Sequence, residues 1–356
     1  MVGVLALSTT SIGVFGLVVI CVGWAVYGLF NVVSGRHEVG SEIELAPNRK
    51  PYYDDETLEG PRLERVQLWG VILLAIIVIA LPLYWVFEPS RQAGAQEGWD
   101  NRFASWGSQL FAPTAEGGFN CAGCHGGMNA VGGEAPFTVT DPVTQEVQAV
   151  NWKAPALNTA FYRFDEDEIR FILNYGRPFS PMSPWGLVGG GPMNTQQIDN
   201  LIAYILSIQI PRENCGEGED DDRICSSGNL PADVQADIQA AAEKAVADGE
   251  AASLGEALFN LEIASGAYSC ARCHTLGWSY DQPGVSGQGA YGWNLTGGSV
   301  NEHFINENQL VAFIESGSEY GKLYGRNAQG SGRMPGFGSM LTDEQIQEIV
   351  DYVRSL

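Results

Sequence analysis

What most constrains the fold of this chain is a unit of roughly a hundred residues that is written twice. In the first copy Gly107, Leu110 and Phe111 precede Cys121-Ala-Gly-Cys124-His125. In the second, Gly255, Leu258 and Phe259 precede Cys270-Ala-Arg-Cys273-His274, and the two histidines stand 149 residues apart. Each copy continues with a helical stretch stopped by glycine, Glu168 to Leu173 before Gly176 and Gln309 to Ile314 before Gly317. A Met-x-x-aromatic-Gly segment follows, Met182 to Gly186 and Met334 to Gly338. The last element opens with a capping box, Asn194-x-x-Gln197 or Thr342-x-x-Gln345. Apolar residues then recur at helical spacing: Ile198, Leu201, Ile202 and Ile205 in one copy, Ile346, Ile349, Val350 and Val353 in the other. Four landmarks in the same order mark an internal duplication, so the chain should fold as two like helical domains.

Ahead of the repeat lie two runs without a charged residue, Ile12 to Val33 and Val66 to Phe87, each 22 residues long. At 1.5 Å per residue either run crosses a hydrocarbon core of about 30 Å, and both are expected to be transmembrane helices. The first run is too long for a signal-peptide core, and no Lys or Arg precedes it. Cys21 within it reads as an apolar filler. Pro82 should bend the second helix without ending it. The segment between the runs carries Arg36, Arg49, Lys50, Arg62 and Arg65, which places a 34–65 loop in the cytoplasm and everything from Glu88 onward on the outer, oxidising side of a bacterial cytoplasmic membrane. The expected layout is a two-span anchor at 1–88, a first domain at 89–211, an acidic linker at 212–250 and a second domain at 251–356. Most of the chain is then all-α.

Three features fall outside the repeat. Cys215 and Cys225 flank an acidic run from Glu217 to Asp222 and lack a following His, so a disulfide closing that loop is expected. Pro231 to Asp248 is Ala-rich and ends at Gly249, as a linker helix would. Within the first copy, Phe137 to Thr140 and Glu146 to Val150 alternate as a β-hairpin does. Asp165 to Glu168 reads as a solvated helix start. Charge narrows the partners. A formal net charge of −23 excludes a non-specific nucleic-acid binder. The 34 acidic against 14 basic residues from Glu88 to the end would attract a basic soluble redox partner.

Cys-x-x-Cys-His lets two thiols add to the vinyl groups of haem while the imidazole meets the iron from the same side. Two such motifs call for two covalently attached haem c groups, held by Cys121 and Cys124 with His125, and by Cys270 and Cys273 with His274. The rivals are a redox dithiol and a zinc ribbon built from both pairs; the first has no need of His at that place, and 145 residues separate Cys124 and Cys270. A thioether as sixth ligand would favour Fe(II). Met128 lies three residues past His125, too near to reach around the ring, while Met182 and Met334 occupy matching segments 57 and 60 residues after their histidines and are the expected ligands. Met193 and Met340 read as packing residues, Trp185 and Phe337 as walls of the haem pocket, and Tyr175 and Arg177 as candidates for its propionates. His37 and His303 read as surface or capping residues.

On these motifs the chain resembles class I c-type cytochromes over about 90–211 and 251–356. The resemblance implies a small helical fold whose first and last helices cross, with the haem in an apolar cleft between His and Met, here His125 with Met182 and His274 with Met334. Ala154-Pro-Ala-Leu157 looks like the family's loop that supports the proximal His through the Pro155 carbonyl, whereas Tyr291-Gly-Trp-Asn-Leu295 in the second copy has no proline. With its anchor, the chain is similar to the cytochrome cc subunit of actinobacterial bcc-type menaquinol–cytochrome c reductases, and next to the dihaem subunit of cbb-type oxidases. These imply a respiratory electron-transfer subunit whose partners are cytochrome b and a Rieske protein, or a haem-copper oxidase. No independent catalytic site is identified; a dihaem peroxidase or dehydrogenase subunit, the alternative from the enzyme class, would need a haem without its sixth ligand.

Overall fold

In the computed structural model the residues described are 9–38, 60–141, 143–177, 180–218, 221–261, 269–285, 292–319 and 333–356. Most of the segment carrying the 34–65 loop expectation, with Arg49 and Lys50, lies outside them, as do Tyr291 and the middle of the acidic run at 219–220. The chain divides into two units, Met1–Pro89 and Ser90–Leu356.

The first unit is helical. Helix α1 (Thr9–Glu38) contains the first charge-free run, and helix α2 (Pro61–Phe111) contains the second and does not stop at Pro82 or Pro89. Among the described residues α2 is the one helix long and apolar enough to cross a membrane, with α1 contributing a shorter apolar stretch, Val18–Asn31. The side chains of the apolar run in α2 are exposed in the folded chain, as suits residues whose solvent is lipid. The protein is membrane-associated.

The second unit is mostly helical, with one antiparallel hairpin. In chain order it holds α3 (Cys121–His125), β1 (Gly133–Thr140), β2 (Val147–Ala154), α4 (Ala160–Arg163), α5 (Glu166–Tyr175), α6 (Thr195–Ser207), α7 (Ala232–Ala247), α8 (Leu254–Asn260), α9 (Ala271–His274), α10 (Ser299–His303), α11 (Glu307–Ser316) and α12 (Asp343–Ser355). The strands pair from Gly133↔Ala154 to Thr140↔Val147. Asp141 closes the turn, its carboxylate accepting from the backbone N–H groups of Val143 and Thr144 at 2.7 and 2.9 Å. The expected hairpin is therefore present, and longer than its alternating residues alone delimit.

The duplication is visible in the packing. A Cβ on Gly107 would stand 1.9 Å from the Asn200 carbonyl oxygen and 2.6 Å from Tyr204 Cβ; one on Gly255 would stand 2.0 Å from the Glu348 carbonyl oxygen and 2.8 Å from Tyr352 Cβ. Only glycine lets the opening helix of each copy touch the backbone of its closing helix, α6 or α12. One turn on, Phe111 packs on Tyr204 with ring centroids 5.1 Å apart, and Phe259 on Tyr352 at 5.3 Å. Both closing helices begin with complete capping boxes, Asn194 with Gln197 and Thr342 with Gln345. Their apolar faces, Ile198, Leu201, Ile202 and Ile205 in α6 and Ile346, Ile349, Val350 and Val353 in α12, are buried in two separate cores.

Helix α7 is present where a linker helix was expected, and it packs. Ile238 and Ala242, one turn apart, are fully buried against the second copy's core. Cys215 and Cys225 are joined by a disulfide with Cα atoms 5.7 Å apart.

Candidate functional site

Both Cys-x-x-Cys-His motifs fold as a single helical turn, α3 and α9, which sets two thiols and an imidazole on one short element. In α3 the turn ends at Gly126, with φ of 86°, and the His125 carbonyl accepts from the Gly132 N–H at 2.8 Å, tying the motif to the hairpin. The imidazole is held from the second strand, at the same open end of the hairpin. His125 Nδ1 donates to the Pro155 carbonyl at 2.8 Å. A carbonyl can only accept, so the proton sits on Nδ1 and the Nε2 lone pair is left for a metal. Burial holds this imidazole below the usual histidine range, the bond to Pro155 opposing that effect and the nearby Arg272 charge adding to it.

The second copy reaches the same state differently. His274 Nδ1 donates to the Trp293 carbonyl at 2.8 Å, and burial again lowers the imidazole. The lack of proline in this loop is immaterial, because the acceptor is a backbone oxygen that any residue supplies. Burial pushes the Cys121 thiol up to about 11 and the Cys270 thiol up to about 12, with the second cysteine of each pair adding to the rise. All four motif cysteines are free of disulfide. A dithiol oxidoreductase needs the opposite, a thiol lowered toward neutrality. Among the described residues no group of three or more His, Cys, Asp or Glu is placed to hold a metal ion.

The methionine segments are built alike. Helices α5 and α11 end at Gly176 and Gly317, with φ of 71° and 72°, where a Cβ would run into the carbonyl oxygens of Met182 and Met334 at 2.3 and 2.5 Å. The Arg177 N–H donates to the Met182 carbonyl at 2.8 Å, and the Ser318 N–H to the Met334 carbonyl at 2.9 Å. Glycine thus ends each helix and lets the chain fold back against its methionine. Met193 and Met340 are buried in the two cores, as packing residues should be.

A single cavity of about 350 Å³, walled mainly by apolar side chains, gathers Cys121, Cys124, His125 and Met182 together with Cys270, Cys273, His274 and Met334. Trp185 and Phe337 also line it. Tyr175 does not; it is exposed and packs on Phe171 at 4.8 Å. Met128 is exposed too, and His303 stacks on Trp293, a lining residue, without itself lining the cavity. The side chain of His37 lies outside the described residues.

Four arginines also line the cavity, Arg163, Arg177, Arg272 and Arg333, and among the described residues no Asp or Glu does. These guanidinium groups are already engaged within the protein, Arg333 with Glu168, Arg163 with Thr159 and the Ala156 carbonyl, and Arg272 with the Lys153 carbonyl, and they add positive charge to an otherwise apolar wall. The donor set fits haem: thiol pairs beside imidazoles with an available Nε2, thioethers on matching loops, and cations for carboxylate substituents. Arg163, Arg272 and Arg333 were not evident as site residues, although the scarcity of basic residues in the outer part and the position of Arg272 inside its motif were available signals. Glu168, read as part of a solvated helix start, is 4% exposed. Its carboxylate completes the cap of α5, accepting from the Asp165 N–H at 3.1 Å, and is paired with Arg333 of the other copy.

Comparison with known families adds one match. The family model described as cytochrome c oxidase, cbb3-type, subunit III matches residues 251–353, the second copy. No curated protein and no solved structure matches the chain. The match overturns the resemblance to the cytochrome cc subunit of bcc-type reductases: the family found is an oxidase subunit, the runner-up of the two. The Cys-x-x-Cys-His unit is common ground for both assignments, and the anchor's layout did not discriminate between them.

Proposed function

We propose that the chain is a membrane-anchored dihaem cytochrome c that passes single electrons on the outer face of a bacterial cytoplasmic membrane, as a subunit associated with a haem-copper oxidase of the cbb3 type. The observation that carries this reading is the shared cavity. Both Cys-x-x-Cys-His motifs, both loop methionines and four arginines face it, with no carboxylate among the described residues of its lining. In this reading residues 89–211 and 251–356 are class I cytochrome c domains. Covalently bound haem would supply reversible one-electron iron chemistry. Cys121 and Cys124, and Cys270 and Cys273, would carry the thioether links. His125 and His274 are oriented by the Pro155 and Trp293 carbonyls to offer Nε2, and Met182 and Met334 would be the opposite ligands. The apolar wall excludes water and favours the reduced state. The two charge-free runs would both span the membrane, and the similarity of the second copy to an oxidase subunit supports the choice of partner.

The test is mass and colour. The full chain, expressed with haem-attachment machinery, should carry two covalent haems; the double variant C121A/C124A should carry one, C270A/C273A the other. Colourless protein with the mass of the bare polypeptide would overturn the reading. Extraction in mild detergent should bring a haem-copper subunit with it.

A further inference from the structure

A largely buried ion pair joins the two copies beside Met334. Arg333, next to Met334, turns its guanidinium onto Glu168 of the first copy; Nε and Nη2 address the two carboxylate oxygens, the Nη2 contact at 2.8 Å. Nη2 also donates to the Arg163 carbonyl at 3.0 Å. Glu168 cannot drift, because the same carboxylate caps α5. On the other side Met334 is held by its own copy's Ser318, whose hydroxyl accepts from the Met334 N–H at 2.9 Å, and it packs against the core. Arg333 thus gives this segment a side-chain grip from outside its copy. A bidentate fork fixes direction as well as distance, which a lysine ammonium would not.

We infer that Arg333 and Glu168 are positioning residues that hold the Met334 loop in its ligating position, so that the first copy governs the sixth ligand of the second haem. The inference rests on the proposed function. It needs no role for the pair in chemistry: neither residue is assigned to the iron, and each acts through the loop. Its consequence is directional. If the clamp loosens, Met334 leaves the iron, a ligand that favours Fe(II) is lost and the potential of the second haem falls. If the pair were only a nearby charge, replacing Glu168 by a neutral residue would remove negative charge and raise that potential. The two roles predict opposite signs.

The experiment uses the full chain with both haems attached and reads two signals, the far-red iron–thioether absorption band and the two midpoint potentials. M182A and M334A first assign a band and a potential to each haem. E168Q and R333K are then compared with wild type. R333K keeps the charge and loses the fork, so it separates geometry from electrostatics, and haem content with helix content reports whether each variant folds. The expected result in both is loss of the second haem's band and a downward shift of its potential, with the first haem unchanged. An upward shift in E168Q together with an unchanged band in R333K would overturn the inference. Should M334A itself leave the wild-type spectrum unaltered, the assignment of Met334 as ligand fails, a failure distinct from that of the clamp.

Discussion

The two copies share a scaffold and differ in what supports it. In the first, the motif helix α3 is tied to both strands of its own hairpin at their open end, through Gly132 and through Pro155. In the second, the motif helix α9 leans outward: Arg272, inside the motif, donates to the Lys153 carbonyl of the first copy's β2, and Tyr280 packs on Trp152 with centroids 5.5 Å apart. Gln282 donates to Gln148 at 2.9 Å, and Lys153 lies over the Trp278 ring at 4.8 Å. Duplicated sequence gives duplicated helices, but the insertion in one copy has become part of the framework of the other. The first copy should therefore be the less dependent of the two.

The sharpest way to break this comparison is at the glycine crossings. G107A and G255A each force a Cβ onto a backbone carbonyl and should cost about 3 kcal/mol of stability. Hydrogen exchange should show G107A lowering protection in both copies and G255A in the second alone; equal damage in both directions would make the dependence mutual. A smaller effect tests the scaffold's equivalence. N194A and T342A remove matched caps and should each cost about 1 kcal/mol in thermal unfolding, by similar amounts. The smallest concerns the rim of the contact between copies. Asp281, 65% exposed, pairs with Lys153, and D281N should change stability by no more than about 0.5 kcal/mol, less still at high salt.

The scaffold was legible because its determinants are local and repeated: Gly107 with Gly255, the boxes at Asn194 and Thr342, the glycine stops. The hairpin was legible from its alternation, and the disulfide from two cysteines without a histidine. What could not be read was contact between copies. The carboxylate of Glu168 looks solvated on its own helix, and only tertiary packing buries it against Arg333. The linker segment likewise shows an Ala-rich helix, while its burial depends on where Ile238 finds a partner. For the histidines, the resemblance asked for a proline carbonyl, and the second copy meets the same need with Trp293 because hydrogen-bond geometry is blind to the side chain attached. Nor could motifs shared by two kinds of respiratory subunit decide between them.

The hairpin also makes the two modules unequal partners. Like modules stacked head to tail could in principle admit a third, each seating itself on the one before. Here the arm at Gly133–Ala154 belongs to the leading module and reaches the trailing one through Trp152 and Tyr280. An asymmetry acquired by a single module thus gives the pair a direction that duplication alone would not.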